Sequence, residues 1–121
     1  MTVRLNDYHD LPMLQALYEG AGHNPDQGWL WAGDWSGWWA IAEDHFGRAV
    51  GCLQLGMSRP QATLETLCVP LAFGKIQRAK TIRALVYFAL RTLRTLGGVQ
   101  SVRFQLDGTW DRQIVLHRQA Y

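Results

Sequence analysis

The chain has 121 residues, 48% of them hydrophobic and 18% charged, with a formal net charge of +2. That describes one folded domain spanning 1–121 with enough chain for its own core, and it excludes a disordered protein. Two cysteines without ligand spacing exclude a disulfide framework and a zinc module, and no apolar run is long enough for a leader or a membrane span, so the expectation is a reduced, cytoplasmic protein with no metal.

Thr2–Leu5 alternates apolar and polar residues and predicts a first strand. Pro12 fits only a first helical turn, so a helix is expected to start near Asp10 with Leu11, Leu14, Leu17, Tyr18 and Ala21 on one face and Gly20 and Gly22 at its end. His23 to Gly37 holds Asn24-Pro25, three glycines and Trp29, Trp31 and Trp35, and reads as an irregular segment presenting aromatics either to the core or to a substrate groove. Trp38–Glu43, Arg48–Met57 and Ala62–Val69 are expected as three strands joined by tight turns, an antiparallel meander closed by Pro70. Cys52 and Cys68 then fall on neighbouring strands as small buried hydrophobes.

Leu71–Lys80 reads as a loop, and Ile82, Leu85, Val86, Ala89, Leu90, Leu93 and Leu96 follow at helical spacing up to Gly97-Gly98. Val99–Leu106 predicts another strand, and Trp110–Arg118 a short helix after the turn Asp107-Gly108-Thr109. Charge is unevenly spread. Residues 1–65 carry eight acids and three bases, whereas 66–106 carry seven bases and no acid. A strand feeding a helix whose N-terminus lacks acids and gathers cations is the physical arrangement of an anion site, most often a phosphate. The net charge is too small to argue for nucleic acid, which would need these cations exposed on one face, so nucleic acid is not the expected partner.

This order of elements resembles the GCN5-related N-acetyltransferase (GNAT) fold, an α/β (α+β) architecture with a mixed, mostly antiparallel, splayed sheet flanked by helices. The resemblance rests on Leu67-Cys-Val69-Pro70, the helix Ala84-Leu85…Leu96-Gly97, the strand Val102–Leu106 and the tail Leu116-His-Arg-Gln-Ala-Tyr121. It implies that the strand edge at Leu67 and Val69 pairs with the pantetheine arm of acetyl-CoA. It also implies that a loop of pattern Gln/Arg-x-x-Gly-x-Gly/Ala, matched here to Gln77, Arg78, Ala79, Lys80, Thr81 and Ile82, offers backbone N–H groups to the pyrophosphate. Lys80 and Ile82 stand where the pattern has small residues that let the backbone approach the phosphates. Arg78, Lys80 and Arg83 are candidates to hold the phosphates, or form a solvated helix face; Lys75, Arg91 and Arg94 read as plain surface.

The family often takes its general base from a Glu on the central strands and its acid from a Tyr in the tail. Glu65 is the matching carboxylate, read either as that base or as a solvated outward residue. His117 stands nearest the Tyr position, as the proton donor or as a helix-end cation. The implied activity is transfer of an acyl group from acyl-CoA to an unidentified amine. The alternative is an inactive relative serving as a binding or structural component, such as a phage virion protein. The family continues with two more strands after its last helix. Their absence here would leave an open sheet edge for a homo- or hetero-oligomer.

Overall fold

The computed structural model describes residues 1–21, 38–104 and the backbone of 112–115. Six strands, β1 (Thr2–Leu5), β2 (Trp38–Glu43), β3 (Ala49–Ser58), β4 (Gln61–Cys68), β5 (Ser101–Phe104) and β6 (Arg112–Val115), form one sheet in sequence order. Every neighbouring pair is antiparallel except β4–β5, which is parallel and bridged by α2 (Lys75–Leu96). Helix α1 (Leu11–Gly20) follows a single 3₁₀ turn, Tyr8–Asp10. Among the described residues no helix is long and apolar enough to cross a membrane.

The two helices cover opposite faces of the sheet, and strand alternation decides which side chains go where. Leu14, Leu17 and Tyr18 of α1 pack on Trp39, Ile41, Cys52 and Cys68. Leu85, Ala89 and Leu93 of α2 pack on Ala40, Ala42, Leu53, Leu55, Ala62, Leu64 and Val102. Thr81, Leu85, Ala89 and Leu93 are fully buried at a spacing of four, one straight ridge of the helix. That ridge lies close to β3. A Cβ at Gly51 would come within 2.8 Å of Thr81 Cγ2 and 3.2 Å of Leu85 Cδ1. Gly97 and Gly98, both at φ 75°, end the helix and return the chain to β5.

At the start of the chain, Arg4 ties three elements together. Its guanidinium donates to both carboxylate oxygens of Asp10 at 2.8 Å and to Glu43 Oε1 at 2.9 Å. The same Asp10 carboxylate accepts the Asp7 N–H at 2.7 Å. Asp10 is buried, and its bonds to Arg4 hold its carboxyl below the usual carboxylate range.

Three sequence expectations change here. The long helix begins at Lys75, not after Lys80. Gly74 is the last helix breaker, and Lys75 to Lys80 are helix formers apart from the β-branched Ile76. The short helix expected over Trp110–Arg118 is instead the strand Arg112–Val115, paired from Ser101↔Val115 to Phe104↔Arg112. β6 therefore covers the edge of β5 that the sequence reading left open. The irregular segment His23–Gly37, His117 and Tyr121 lie outside the described residues.

Gly51→Ala is expected to lower stability by about 1–3 kcal/mol through overpacking against Thr81 and Leu85, read as a reduced urea midpoint with unchanged slope. Asp10→Asn is expected to cost about 1–2 kcal/mol, since Arg4 keeps part of its solvation. Because the fold lowers the Asp10 pKa, its contribution is complete above the unfolded value of about 3.9 and fades as pH falls through the folded value. The loss of stability on acidification should therefore be shallower in Asp10→Asn than in the parent.

Candidate active site

The β3–β4 pairing contains an irregularity that shapes one face of the sheet. Leu53 pairs with Leu67 and Leu55 with Leu64, so Gln54 alone stands opposite Glu65 and Thr66. The extra residue on β4 is a bulge, which keeps Leu64 in the α2-side core and re-aims its neighbours. Thr66 Oγ1 donates to Gln54 Oε1 at 3.1 Å, and Thr63 Oγ1 donates to Glu65 Oε1 at 2.8 Å. These four polar side chains lie on the α1-side face, beyond the apolar cluster of Trp39, Ile41, Cys52 and Cys68. Gly56 makes the room. A Cβ there would lie 2.5 Å from Thr63 Oγ1 and 3.0 Å from Glu65 Oε1. Glu65 is thus half-buried and held in place by a hydroxyl, rather than a solvated strand residue.

The second component lies where β4 hands over to α2. Among the described residues the parallel β4–β5 register runs to Leu64↔Phe104, while β4 continues through Glu65–Cys68. Past Val69-Pro70, the Leu71 N–H donates to Gly20 O at 3.1 Å and the Phe73 N–H to Pro70 O at 3.2 Å. Gly74 is the N-cap of α2, without a side-chain cap, and the Arg78 N–H donates to Gly74 O at 3.0 Å. The N–H groups of the first turn precede the intrahelical ladder and point outward with the positive end of the helix dipole. No acid lies in that turn, and a Cβ at Gly74 would meet nothing within 4 Å. Arg78 Nε is buried with no hydrogen-bond partner among the described residues. A buried, unpartnered guanidinium nitrogen beside an uncapped helix N-terminus fits an anionic group.

The residues matched to the six-position phosphate loop therefore sit differently from expectation. Gln77 is in the first turn and Arg78 at its end, but Ala79, Lys80, Thr81 and Ile82 are in the body of α2. Thr81 is fully buried, its hydroxyl donating to Gln77 O at 2.9 Å. Ile82 packs against the core, and Ala79 and Lys80 are exposed. The actual loop is Leu71–Gly74, so the backbone donors are those of the Lys75–Gln77 turn. Val69 is buried in the core and Leu67 packs against it.

Gln54, Gly56, Thr63 and Thr66 were not singled out by sequence reasoning. The isolated Gly56 inside an alternating strand was the available signal, because such a glycine marks a bulge or a close approach. Cys52 and Cys68 face each other across β3 and β4, buried and free. Burial pushes the Cys52 thiol well up, and the neighbouring Cys68 adds to it, which disfavours the thiolate there. Among the described residues no group of three or more His, Cys, Asp or Glu side chains is placed to hold a metal ion. A groove of about 530 Å³ adjoins the α2 N-terminus, lined by His45, Phe46, Arg48, Val50, Phe73 and Gln77 among others.

The fold is that of the GCN5-related N-acetyltransferases. The chain is similar to a GNAT family acetyltransferase from Brucella melitensis in complex with acetyl-CoA, with a TM-score of 0.68 and 17% identity over 97% of this chain and 88% of that one. It is also similar to the ribosomal-protein-S18-alanine N-acetyltransferase from Escherichia coli, with a TM-score of 0.67 and 16% identity over 85% of this chain and 64% of that one. The GNAT family N-acetyltransferase YhbS from Escherichia coli, in complex with CoA, gives a TM-score of 0.65 and 19% identity over 85% and 61%. The chain thus spans less than two-thirds of the length of the two Escherichia coli proteins. No family sequence profile and no curated protein sequence matches it.

Proposed function

We propose that this chain is an acyl-CoA-dependent N-acyltransferase acting on an amine. The observation that carries the reading is the buried, unpartnered Nε of Arg78 at an acid-free helix N-terminus, at the end of the strand that bears Glu65. Two of the similar solved proteins hold acetyl-CoA or CoA, which supports the same ligand class here. Its phosphates are polyanionic, and the first turn of α2 with Lys75, Gln77 and Arg78 offers cations and N–H donors with no acid in the turn itself; Asp44, which lines the adjoining groove, is paired with Arg48.

Acetyl-CoA supplies an activated acyl carbon as a thioester. The extended segment Glu65–Cys68 covers about 10 Å, so phosphates at the helix and an acyl carbon near the bulge suit a long, flexible arm running between them. Glu65 accepts the proton of the attacking amine, directly or through one water, as the C–N bond forms and the C–S bond breaks. The Thr63 hydroxyl holds Oε1 and fixes the carboxylate for that task. Gln54 and Thr66 supply further polar groups on the same face for the acceptor. His117 is assigned the return of a proton to the leaving thiolate, on its position in the tail.

Titration calorimetry with acetyl-CoA and with CoA is expected to show binding to both. At a hundredfold excess over Kd, the ligand should add about 2.7 kcal/mol of stability and raise Tm by several degrees. Arg78→Ala is expected to weaken both ligands about tenfold. No heat and no Tm shift at millimolar ligand overturns the reading. Once an amine acceptor is found, Glu65→Gln should lower kcat by about 10²- to 10⁴-fold while the Kd for acetyl-CoA stays unchanged. An equal fall in ligand affinity would make Glu65 a binding group instead.

A further inference from the structure

We propose that the outer face of α2 binds single-stranded nucleic acid. The helix is seated by one ridge, Thr81, Leu85, Ala89 and Leu93. At about 100° per residue, the direction opposite that ridge runs through Lys80, Arg83, Tyr87, Arg91 and Arg94, which together span about 80° of arc. All five are exposed. No acid occurs anywhere between Thr66 and Leu106, so no carboxylate of the helix or its flanking segments neutralises them. None of the four cations makes an ion pair among the described residues. The stripe is about 21 Å long from Lys80 to Arg94, at 1.5 Å of rise per residue.

Tyr87 stands in the middle of these cations with 71% of its surface exposed. A large aromatic ring left in water between arginines is the combination that single strands use, with phosphates on the cations and a base stacked on the ring. A duplex would leave the ring without a partner, because its bases are already stacked. A second copy of this chain is the alternative occupant, given the acidic first half. Its described acids do not suit that use. Asp10 and Glu43 are taken by Arg4, Asp44 by Arg48, and Glu65 by Thr63, which leaves only the exposed Asp7 and Glu19, two charges against four, so the described acids offer no stripe of matching length. The proposed face lies along the helix body, so it is independent of the acyl-CoA reading, which uses the N-terminal end.

The test is fluorescence anisotropy of the intact chain with a labelled oligothymidylate of about 12 nucleotides, between about 50 and 200 mM salt. Four phosphate contacts at about −0.7 each predict a slope of log K against log salt near −3. Arg83→Ala with Arg91→Ala should halve that slope. Tyr87→Ala should weaken binding about tenfold, and Tyr87→Phe should restore it, because the ring and not the hydroxyl does the stacking. These exposed positions are expected to leave Tm unchanged, which separates lost binding from lost folding. Four outcomes overturn the proposal: a flat salt dependence, indifference to Tyr87→Ala, equal affinity for polyglutamate, or a duplex bound as tightly as the single strand. Displacement of the oligonucleotide by acetyl-CoA also overturns it, by placing the strand at the N-terminus of α2. Failure of calorimetric acetyl-CoA binding leaves this test unaffected.

Discussion

The seating of α2 on β3 turns on a single missing side chain. At Gly51 a Cβ would come 2.8 Å from Thr81 Cγ2 and 3.3 Å from the Cys68 carbonyl oxygen, so helix and sheet meet there at backbone distance. Thr81 tolerates that depth only because its hydroxyl is spent on Gln77 O within the helix, leaving its methyl to face the strand. With Thr81 fixed, the ridge Leu85, Ala89, Leu93 follows at one turn each, and the N-terminal turn of α2 is held above the end of β4. The proposed anion site is in this sense a product of packing. Its donors are ordinary backbone groups, and their aim comes from where the helix is pinned.

A second local device places the carboxylate. Without the bulge, strict alternation would put Leu64 and Leu67, three residues apart, on opposite faces, and one of them would leave the α2-side core. With it, Leu64 remains among the apolar residues under α2, and Glu65 and Thr66 both stay beside Gln54. The cost is a crowded patch at Gly56, relieved by the lack of a side chain there. Two glycines on one strand, Gly51 and Gly56, thus do opposite-facing work. One lets a helix approach, and the other lets a carboxylate lie close to the sheet.

Most of the sheet was legible from the chain because its strands are bounded by strong punctuation. Pro70, the turn Asp44-His45-Phe46-Gly47 and the alternation in β2 and β4 place those elements within a residue or so of the structure. The start of α2 and the nature of β6, on which the covered β5 edge depends, differ from expectation for separate physical causes. Periodicity places the start of α2 too late because the apolar period begins at Ile82, whereas a helix begins where its last breaker ends. Here that is Gly74, and the first turn carries only one apolar residue, the exposed Ile76, which sets no period. The strand β6 was read as a helix from the N-cap type of Thr109, although Asp107-Gly108 is a hairpin dipeptide and Ile114-Val115 are β-branched. Glu65 was legible as a candidate. Its partners were not, because a bulge shows in pairing and not in one strand's own alternation.

The acid-free stretch from Thr66 to Leu106 looked like one signal in the sequence, and the fold divides it into two. Part of it sits at the helix end, where Lys75 and Arg78 adjoin free backbone donors and where one guanidinium nitrogen is buried without a partner. The rest lies along the helix body, where the exposed Lys80, Arg83, Arg91 and Arg94 surround an exposed ring on the side opposite the buried ridge. A helix needs no such stripe for stability, since like charges spaced three and four apart cost a few tenths of a kcal/mol per pair. Lys80 and Arg83, and Arg91 and Arg94, carry that cost with no carboxylate to offset it. Packing accounts for the inner face of α2, and the proposed anion binding for its first turn. The outer face calls for a partner of opposite charge.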